Sequence, residues 1–350
     1  MNNFINIKQY GFSEMFSKEI PQDSPLEPAR VLSQEKGFYR IITDKGEKLA
    51  EVSGKFRYQA TFSSEYPAVG DFVLVNWNES GNSAIIESLL PRKSAFIRKA
   101  AGEPQQEQIV AANIDTIFLC MALNNDFNIR RLERYLSIAW DSCAMPVVVL
   151  TKSDLCDDLD YKLSEVSSIA FGLDILVTTE NGYRELLPFI SEGKTIAFIG
   201  SSGVGKSTLI NLLLGKEQLK TNGLRNDDKG RHTTTHRELF LLPSGGMVID
   251  TPGMRELGMW DNDTGIDRTF TEIETLASQC KFRNCTHKNE PGCAVLKALE
   301  TGELEIDRWN SYQKLKAESS YIEDKESYLI AKGKREKEIS KLIKKMPIRV

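Results

Sequence analysis

Residues 195–214 constrain the fold of this 350-residue chain more than any other stretch. An apolar run, Thr195 to Ile199, enters Gly200-Ser201-Ser202-Gly203-Val204-Gly205-Lys206-Ser207, and a helix-forming run, Thr208 to Leu214, leaves it. A buried strand, a glycine-rich turn and a helix start are the context in which G-x-x-x-x-G-K-S cradles phosphate. Glycine lets backbone N–H groups curl around phosphate oxygens, and the helix N-terminus adds its positive dipole end. Lys206 reaches the outer phosphates and holds charge that develops on them. Ser207 offers a hydroxyl to Mg²⁺. Such a loop predicts a doubly wound α/β sheet around it.

The surrounding text supplies that sheet. Strand-like runs occur at Ile114–Met121, Pro146–Leu150, Asp174–Thr178, Glu238–Leu242 and Gly246–Ile249, with helical runs at Asn128–Trp140 and Leu159–Phe171. Two more motifs follow strands. Asp250-Thr251-Pro252-Gly253 has the D-x-x-G form: Asp250 would hold Mg²⁺ through water, and the Gly253 N–H would meet the γ-phosphate. Thr151-Lys152-Ser153-Asp154 has the [N/T]-K-x-D form. A carboxylate at Asp154 accepts both the ring N–H and the exocyclic amine of guanine, which selects GTP over ATP. Thr178 and Thr179 fit a last base-contacting loop.

The motif order is unusual. The guanine motif precedes the glycine-rich loop, which precedes D-x-x-G, as expected of a circularly permuted domain. Between the last two lies Lys229-Gly230-Arg231-His232-Thr233-Thr234-Thr235-His236, where one threonine should complete the Mg²⁺ shell; Thr234 is favoured, with its neighbours still open. Met254 occupies the place of the glutamine that orients water in Ras-type enzymes. His232 is the candidate for that task, and a surface histidine with no catalytic part is the competing reading.

Upstream, Arg30–Leu32, Phe38–Thr43, Lys48–Val52, Tyr58–Thr61, Asp71–Trp77 and Ser83–Leu89 read as short strands separated by turns. They predict a small OB-type barrel, a fold that often takes single-stranded RNA. Lys55, Phe56, Arg57, Tyr58, Arg92, Lys93, Arg98 and Lys99 interleave basic and aromatic character, which suits either an RNA face or a solvated one. Residues 1–28 read as a polar leader with a short helix around Tyr10–Phe16, and 100–109 as a linker.

Downstream, Cys280, Cys285, His287 and Cys293 give C-x4-C-x-H-x5-C. Three thiolates and one imidazole form a closed tetrahedral set for one structural Zn²⁺. Cys120, Cys143 and Cys156 read as packing residues. Lys281, Phe282, Arg283 and Lys288 decorate the zinc loop and could meet RNA. A helical tail from about Glu303 ends in a basic run, Lys332 to Arg349, of the kind that binds phosphate backbones. A net charge of −4 argues against a wholesale nucleic-acid coat protein without excluding local basic surfaces. With no apolar run fit for a signal or a membrane span, a reducing cytoplasm is expected.

The glycine-rich loop G-S-S-G-V-G-K-S-T, G-R-H-T-T-T, D-T-P-G and the zinc pattern, set behind a barrel, resemble the RsgA (YjeQ) family of small-ribosomal-subunit biogenesis GTPases. The likeness covers roughly Ala29 to Trp309. It implies a leader (1–28), an OB barrel (29–99), a permuted GTPase domain (100–258) and a zinc domain with a basic helical tail (259–350). It further implies a cytoplasmic monomer that binds GTP and GDP, the 30S subunit and 16S rRNA. The resemblance extends to turnover stimulated by the subunit and to release of the assembly factor RbfA. His232 matches the histidine to which the family assigns a part in hydrolysis. Departures are Thr151 in place of Asn, Thr178-Thr179 in place of Ser-Ala, and Gly203 where related GTPases carry a potassium-binding Asn. A permuted GTPase switch with a non-ribosomal partner, and an RNA-binding scaffold with a structural nucleotide, are the alternatives.

Overall fold

The computed structural model describes residues 6–35, 37–77, 83–99, 107–179, 182–217, 237–250 and 264–320. His232, Thr234, Gly253, Met254 and the basic tail lie outside the described residues, as do most of the expected 100–109 linker and the flanks of Thr234. The described residues fall into two compact units, one up to residue 98 and from 107 to 250, the other comprising residue 99 and 264 to 320.

The first unit begins with a barrel. Strands β1 (Glu27–Gln34), β2 (Tyr39–Thr43), β3 (Gly46–Val52), β4 (Phe72–Trp77) and β5 (Ser83–Leu89) pair in the order β1-β2-β3-β5-β4, and β4 pairs back to β1. The β3–β5 pair is parallel and the others antiparallel, the closed pattern of an OB barrel. Inward residues, among them Val31, Ile41, Ala50, Val73, Val75 and Ile86, form one core. The expected leader is not a free arm. Ile7–Tyr10 forms a 3-10 turn and Glu14–Ser17 a short helix, α1, in place of one helix across Tyr10–Phe16. Phe16 packs on Phe72 with ring centroids 4.3 Å apart, in a cluster with Leu74 and Leu90.

One expected strand is a helix. Tyr58–Thr61 overlaps α2 (Gly54–Gln59), whose start is capped by the Ser53 hydroxyl accepting from the Phe56 N–H at 3.1 Å. The alternating Lys55-Phe56-Arg57-Tyr58 pattern mimics a strand. A single apolar anchor decides otherwise, because Phe56 plugs into the barrel core while Tyr58 stays 92% exposed. The linker reading also needs correction at its end, where Glu107–Ala112 forms β7, paired with β6 (Ala95–Lys99).

The α/β sheet comprises β8 (Thr116–Ala122), β9 (Met145–Thr151), β10 (Ile175–Val177), β11 (Thr195–Ile199), β12 (Glu238–Leu241) and β13 (Met247–Asp250). Their order is β10-β9-β8-β11-β13-β12. All pairs are parallel except β12–β13. The nearly continuous apolar, buried runs of β8, β9 and β11 suit strands covered on both faces. Helices α3 (Ile129–Asp141), α4 (Leu159–Ile169) and α5 (Lys206–Leu214) belong to this layer. Asn128 caps α3, its side chain accepting from the Arg131 N–H at 2.9 Å. At its far edge β12 pairs with β1 through Ser33 and Glu238, so barrel and sheet form one eleven-stranded system.

Arg30 on β1 locks the two together. Its guanidinium is fully buried, and burial lowers its pKa to about 10, opposed by Asp115 and Asp71. It donates to the Tyr10 carbonyl (2.6 Å), the Gly70 carbonyl (3.1 Å), the Asn113 carbonyl (3.3 Å) and Thr195 Oγ1 (2.9 Å), and rests on the Phe72 ring at 4.8 Å. Leader, barrel and sheet therefore share one cation.

In the second unit, α6 (Thr264–Thr269), α7 (Thr271–Ser278), α8 (Ala294–Thr301) and a helix over residues 306–320 bury Ile266, Phe270, Ile273, Val295, Ala298, Trp309 and Leu315. Arg308 stacks on Phe270 at 4.1 Å and donates to the Thr269 carbonyl at 2.6 Å.

Replacing Arg30 by Met keeps much of its volume but strips several buried acceptors of their donor. Arg30→Met should destabilise the first unit by about 2–4 kcal/mol, read as a lower urea midpoint. An unchanged midpoint would show that Arg30 does not hold the barrel on the sheet.

Candidate nucleotide site and metal centre

Parallel strands bring their carboxyl ends to one rim, where crevices for ligands form. Here β9 ends at Thr151, β10 at Val177, β11 at Ile199 and β13 at Asp250. The T-K-S-D loop, the Thr178-Thr179 loop, the glycine-rich loop and the first D-x-x-G residue thus open on the same edge despite their distance in sequence.

The glycine-rich loop has little room at its base. A side chain on Gly200 would meet the Cys120 carbonyl oxygen at 2.6 Å. Gly205 caps α5 with φ 105°, which an L side chain resists. Lys206 Nζ donates to the Gly200 and Ser201 carbonyls, each at 2.6 Å. The ammonium is held over the loop whose amides would meet phosphate. Ser202 and Gly203 are exposed, Val204 is buried, and Ser207 and Thr208 in the first turn of α5 are half-buried.

Two side chains outside the loop fix it. Thr151 Oγ1 donates to the Val204 carbonyl at 2.7 Å, binding the T-K-S-D segment to the glycine-rich loop. Ser201 Oγ donates to Asp126 Oδ2, and Arg131 Nη1 meets Asp126 Oδ1 at 2.8 Å. Burial works against ionisation of Asp126, but the Ser201 hydroxyl and the Arg131 guanidinium outweigh it and hold its pKa below the ordinary value. Asp126 escapes a sequence reading: it sits in a polar turn after β8, and only folding shows that this turn abuts the loop.

On the guanine side, Lys152 adopts a left-handed conformation, φ 59°, which turns the chain sharply and leaves Asp154 exposed at the rim. The Ser153 N–H donates to the Thr178 carbonyl at 3.2 Å, and the Thr178 N–H to the Leu150 carbonyl at 2.8 Å. The two loops expected to surround the base are therefore bonded to each other. Thr178 Oγ1 is buried without a partner among the described residues, while Thr179 is exposed.

At the phosphate side, burial pushes the Asp250 carboxyl up to about 6, with Lys206 pulling it down and Glu238 adding to the rise. Asp250 and Lys206 feel one another across the crevice.

The second cluster lies in the other unit. One ligand atom from each of Cys280, Cys285, His287 and Cys293 falls within a 4.8 Å span. Cys280 and Cys293 sulfurs are 3.8 Å apart, and His287 Nδ1 is 3.6 Å from Cys280 and 3.3 Å from Cys293. With metal–sulfur bonds of about 2.3 Å, the edge of a tetrahedron is about 3.8 Å, so the set fits an ion of zinc's size. Burial raises the Cys280 thiol, yet the Ala294 and Val295 amides and neighbouring thiols bring its pKa below normal. Cys285 is pushed up to about 11 by burial and its thiol neighbours. Three crowded sulfurs cannot all ionise alone, and a divalent cation removes the conflict. Glu290 braces the loop: its carboxylate accepts from the Thr286 hydroxyl and from the Thr286 and Lys288 amides, which holds its pKa near 2. His287 packs edge-on to Trp309 at 5.8 Å.

The other cysteines divide. Cys120 is buried beneath Gly200 as expected of a packing residue, Cys156 is half-buried beside Lys162, and Cys143 is exposed at the end of α3. Several residues grouped above as a basic and aromatic face are committed elsewhere. Arg92 grips buried Asp71 at 2.7 and 2.8 Å, Lys93 pairs with Asp115 at 2.7 Å, and Phe56 is in the core. Lys55, Arg57 and Tyr58 stay exposed on the barrel, as do Lys281, Phe282, Arg283 and Lys288 on the metal loop.

Residues 89–260 match the family model described as RsgA GTPase. The small ribosomal subunit biogenesis GTPase RsgA 2 of Lactiplantibacillus plantarum is 50% identical over 321 residues, 91% of this chain and 90% of the relative. The chain belongs to the RsgA family. RsgA 1 of Oceanobacillus iheyensis is 46% identical over 95% of this chain and 97% of its own length. Among solved structures, YjeQ from Thermotoga maritima aligns with a TM-score of 0.62 at 29% identity, covering 83% of this chain and 97% of that one. YloQ, described as a circularly permuted GTPase, shares the fold at TM-score 0.61 and 24% identity, covering 87% of this chain and 98% of its own. In this RsgA fold, motifs distant in sequence reach one rim because β9, β8, β11 and β13 are successive neighbours in the sheet.

Asp250 supplies a pH test. A carboxyl whose folded pKa exceeds its unfolded value binds extra protons when folded, so stability is fullest below the unfolded pKa and is lost as pH rises through the folded one. In nucleotide-free protein at pH 8, Asp250→Asn should therefore gain about 2 kcal/mol, shrinking as pH falls through 6 and vanishing near pH 4. Chemical unfolding across pH reads this, and a gain independent of pH would contradict a buried charge at Asp250.

Proposed function

We propose that this chain is a GTP hydrolase of small-ribosomal-subunit assembly, acting in the cytoplasm on the 30S subunit. The observation that carries the nucleotide part is the Thr151–Val204 hydrogen bond, which fastens the T-K-S-D loop to the glycine-rich loop. A base and a phosphate chain of one nucleotide can then be gripped by two loops of fixed separation. Asp154 accepts the guanine N–H groups while the Lys152 stem and the Thr178-Thr179 loop flank the base. The amides of residues 201–207 and Lys206 hold the phosphates and stabilise charge as it moves outward. Ser207 and Thr234 would ligate Mg²⁺, with Asp250 acting through water and the Gly253 amide meeting the γ-phosphate. Mg²⁺, when bound, neutralises charge across the outer phosphates. His232 orients the attacking water when the partner docks.

Zn²⁺ is the ion we assign to Cys280, Cys285, His287 and Cys293, in a structural role, because four protein ligands leave no open position. The exposed Lys55, Arg57 and Tyr58 on the barrel, and Lys281, Phe282 and Arg283 on the metal loop, combine charge with stackable rings. That pairing suits irregular rRNA, here 16S rRNA. Return to GDP after hydrolysis would loosen the γ-phosphate contacts and release the subunit, with RbfA leaving in the same cycle. The names of the relatives, all small ribosomal subunit biogenesis GTPases, support the ribosomal part.

Purified 30S subunits should raise GTP turnover by about a hundredfold or more, the size that one well-placed proton-handling group supplies. Turnover unaffected by 30S subunits would overturn the ribosomal assignment. Asp154→Asn should move preference from GTP to xanthosine triphosphate, since an amide can donate to the oxygen that replaces the exocyclic amine. Retained guanine preference in a competition binding assay would remove Asp154 from the base site.

A further inference from the structure

Barrel and sheet meet along one row of residues. Arg40 on β2 lies opposite Ser33 on β1, Ser33 opposite Glu238 on β12, and Glu238 opposite Asp250 on β13. Directly opposed residues of antiparallel strands share a face, with Cβ atoms about 4.5–5.5 Å apart. The row therefore sets a cation, a hydroxyl and two carboxylates side by side across four strands.

Arg40 spans the junction. Its Nη1 meets Glu238 Oε1 at 2.8 Å, and its Nε meets Glu47 Oε1 at 2.6 Å. To reach Glu238 it crosses Ser33, whose side chain is short enough to let it pass and whose buried Oγ has no partner among the described residues. A longer residue at 33 would block the bridge. Glu238 is thus drawn toward the barrel rather than along the row to Asp250.

That direction matters, because like charges directly opposite on neighbouring strands repel. Glu238 unpaired would stand as a second carboxylate beside the one at the end of β13. It would offer Mg²⁺ a competing ligand and draw the ion away from the place that Asp250 shares with the phosphates. Glu238 also opens β12, the strand that follows the segment containing Thr234.

We propose, on the assignment of Asp250 to Mg²⁺ made above, that Arg40 is a positioning residue of the nucleotide site: from the barrel it holds Glu238 so that Asp250 alone faces the ion. Arg40 touches neither nucleotide nor metal. Its effect passes through one carboxylate, so removing that carboxylate's charge should make Arg40 dispensable.

The experiment measures binding of a non-hydrolysable GTP analogue while Mg²⁺ is titrated, and again in EDTA, for the full-length chain. Arg40→Ala should raise the Mg²⁺ concentration needed for tight binding about three- to tenfold, the size expected of a partly exposed ion pair, and leave affinity in EDTA nearly unchanged. Arg40→Lys should recover part of the loss. Adding Glu238→Gln to Arg40→Ala should restore the wild-type midpoint. An unchanged midpoint in Arg40→Ala overturns the proposal. So does a double variant as weak as the single one, or an equal loss with and without Mg²⁺, which is what general damage to the barrel gives. If Arg40→Ala does not fold, Arg40→Gln, which keeps a polar stem, is read by the same criteria. Asp250→Asn separates the two levels. If it leaves the Mg²⁺ dependence intact, the Asp250 assignment fails and Arg40's role fails with it. If it shifts the dependence while Arg40→Ala does not, only Arg40's role is lost.

Discussion

The buried guanidinium of Arg30 is the contact on which the first unit depends. An arginine out of water is costly unless nearly all its donors are used, and here they reach the leader, the barrel turn at Gly70, the Asn113 backbone and Thr195 on the central strand. Those acceptors come from four stretches far apart in sequence, so the guanidinium is satisfied only when all four are in place. Asp71, gripped by Arg92, and Asp115, bound by Lys93 and Lys194, supply compensating charge nearby. The barrel is thereby part of the same packed body as the sheet, and a force on one is felt by the other.

The layout of the rim depends on which strands are neighbours, not on the order of the motifs along the chain. The glycine-rich loop leaves β11, flanked by β8 and β13, and the T-K-S-D loop leaves β9 one strand further out. Thr151 closes the gap with its hydroxyl, which reaches the Val204 carbonyl. Asp126 does comparable work from β8, bracing Ser201. Thr151 acts from a buried position and Asp126 from a partly exposed one, and Ser202 and Gly203 of the loop stay exposed.

Much of this was legible in the residues. The strand–glycine loop–helix at 195–214, the apolar strands of the sheet and the four-ligand spacing at 280–293 each carry a local signal strong enough to survive folding. Tyr58–Thr61 misled because six residues hold too little of a helical period to outweigh an alternating pattern, and burial of Phe56 settled the matter at long range. Arg92 and Lys93 look like surface cations until Asp71 and Asp115 arrive from elsewhere in the chain. Arg40, Glu238 and Asp126 could not be singled out at all, because their partners are set by strand register and by loop approach rather than by spacing.

The two ends of the eleven-stranded system also bear on how the chain behaves in a crowded solution. Unpaired strand edges invite other chains to add on. At one end β10 spans only three residues, Ile175 to Val177, too short a template for a stable foreign strand. At the other, β12 runs into β1, and the barrel beyond it curls shut through the β1–β4 pairing. A sheet this wide would ordinarily present a sticky border, and here the barrel serves as its hem.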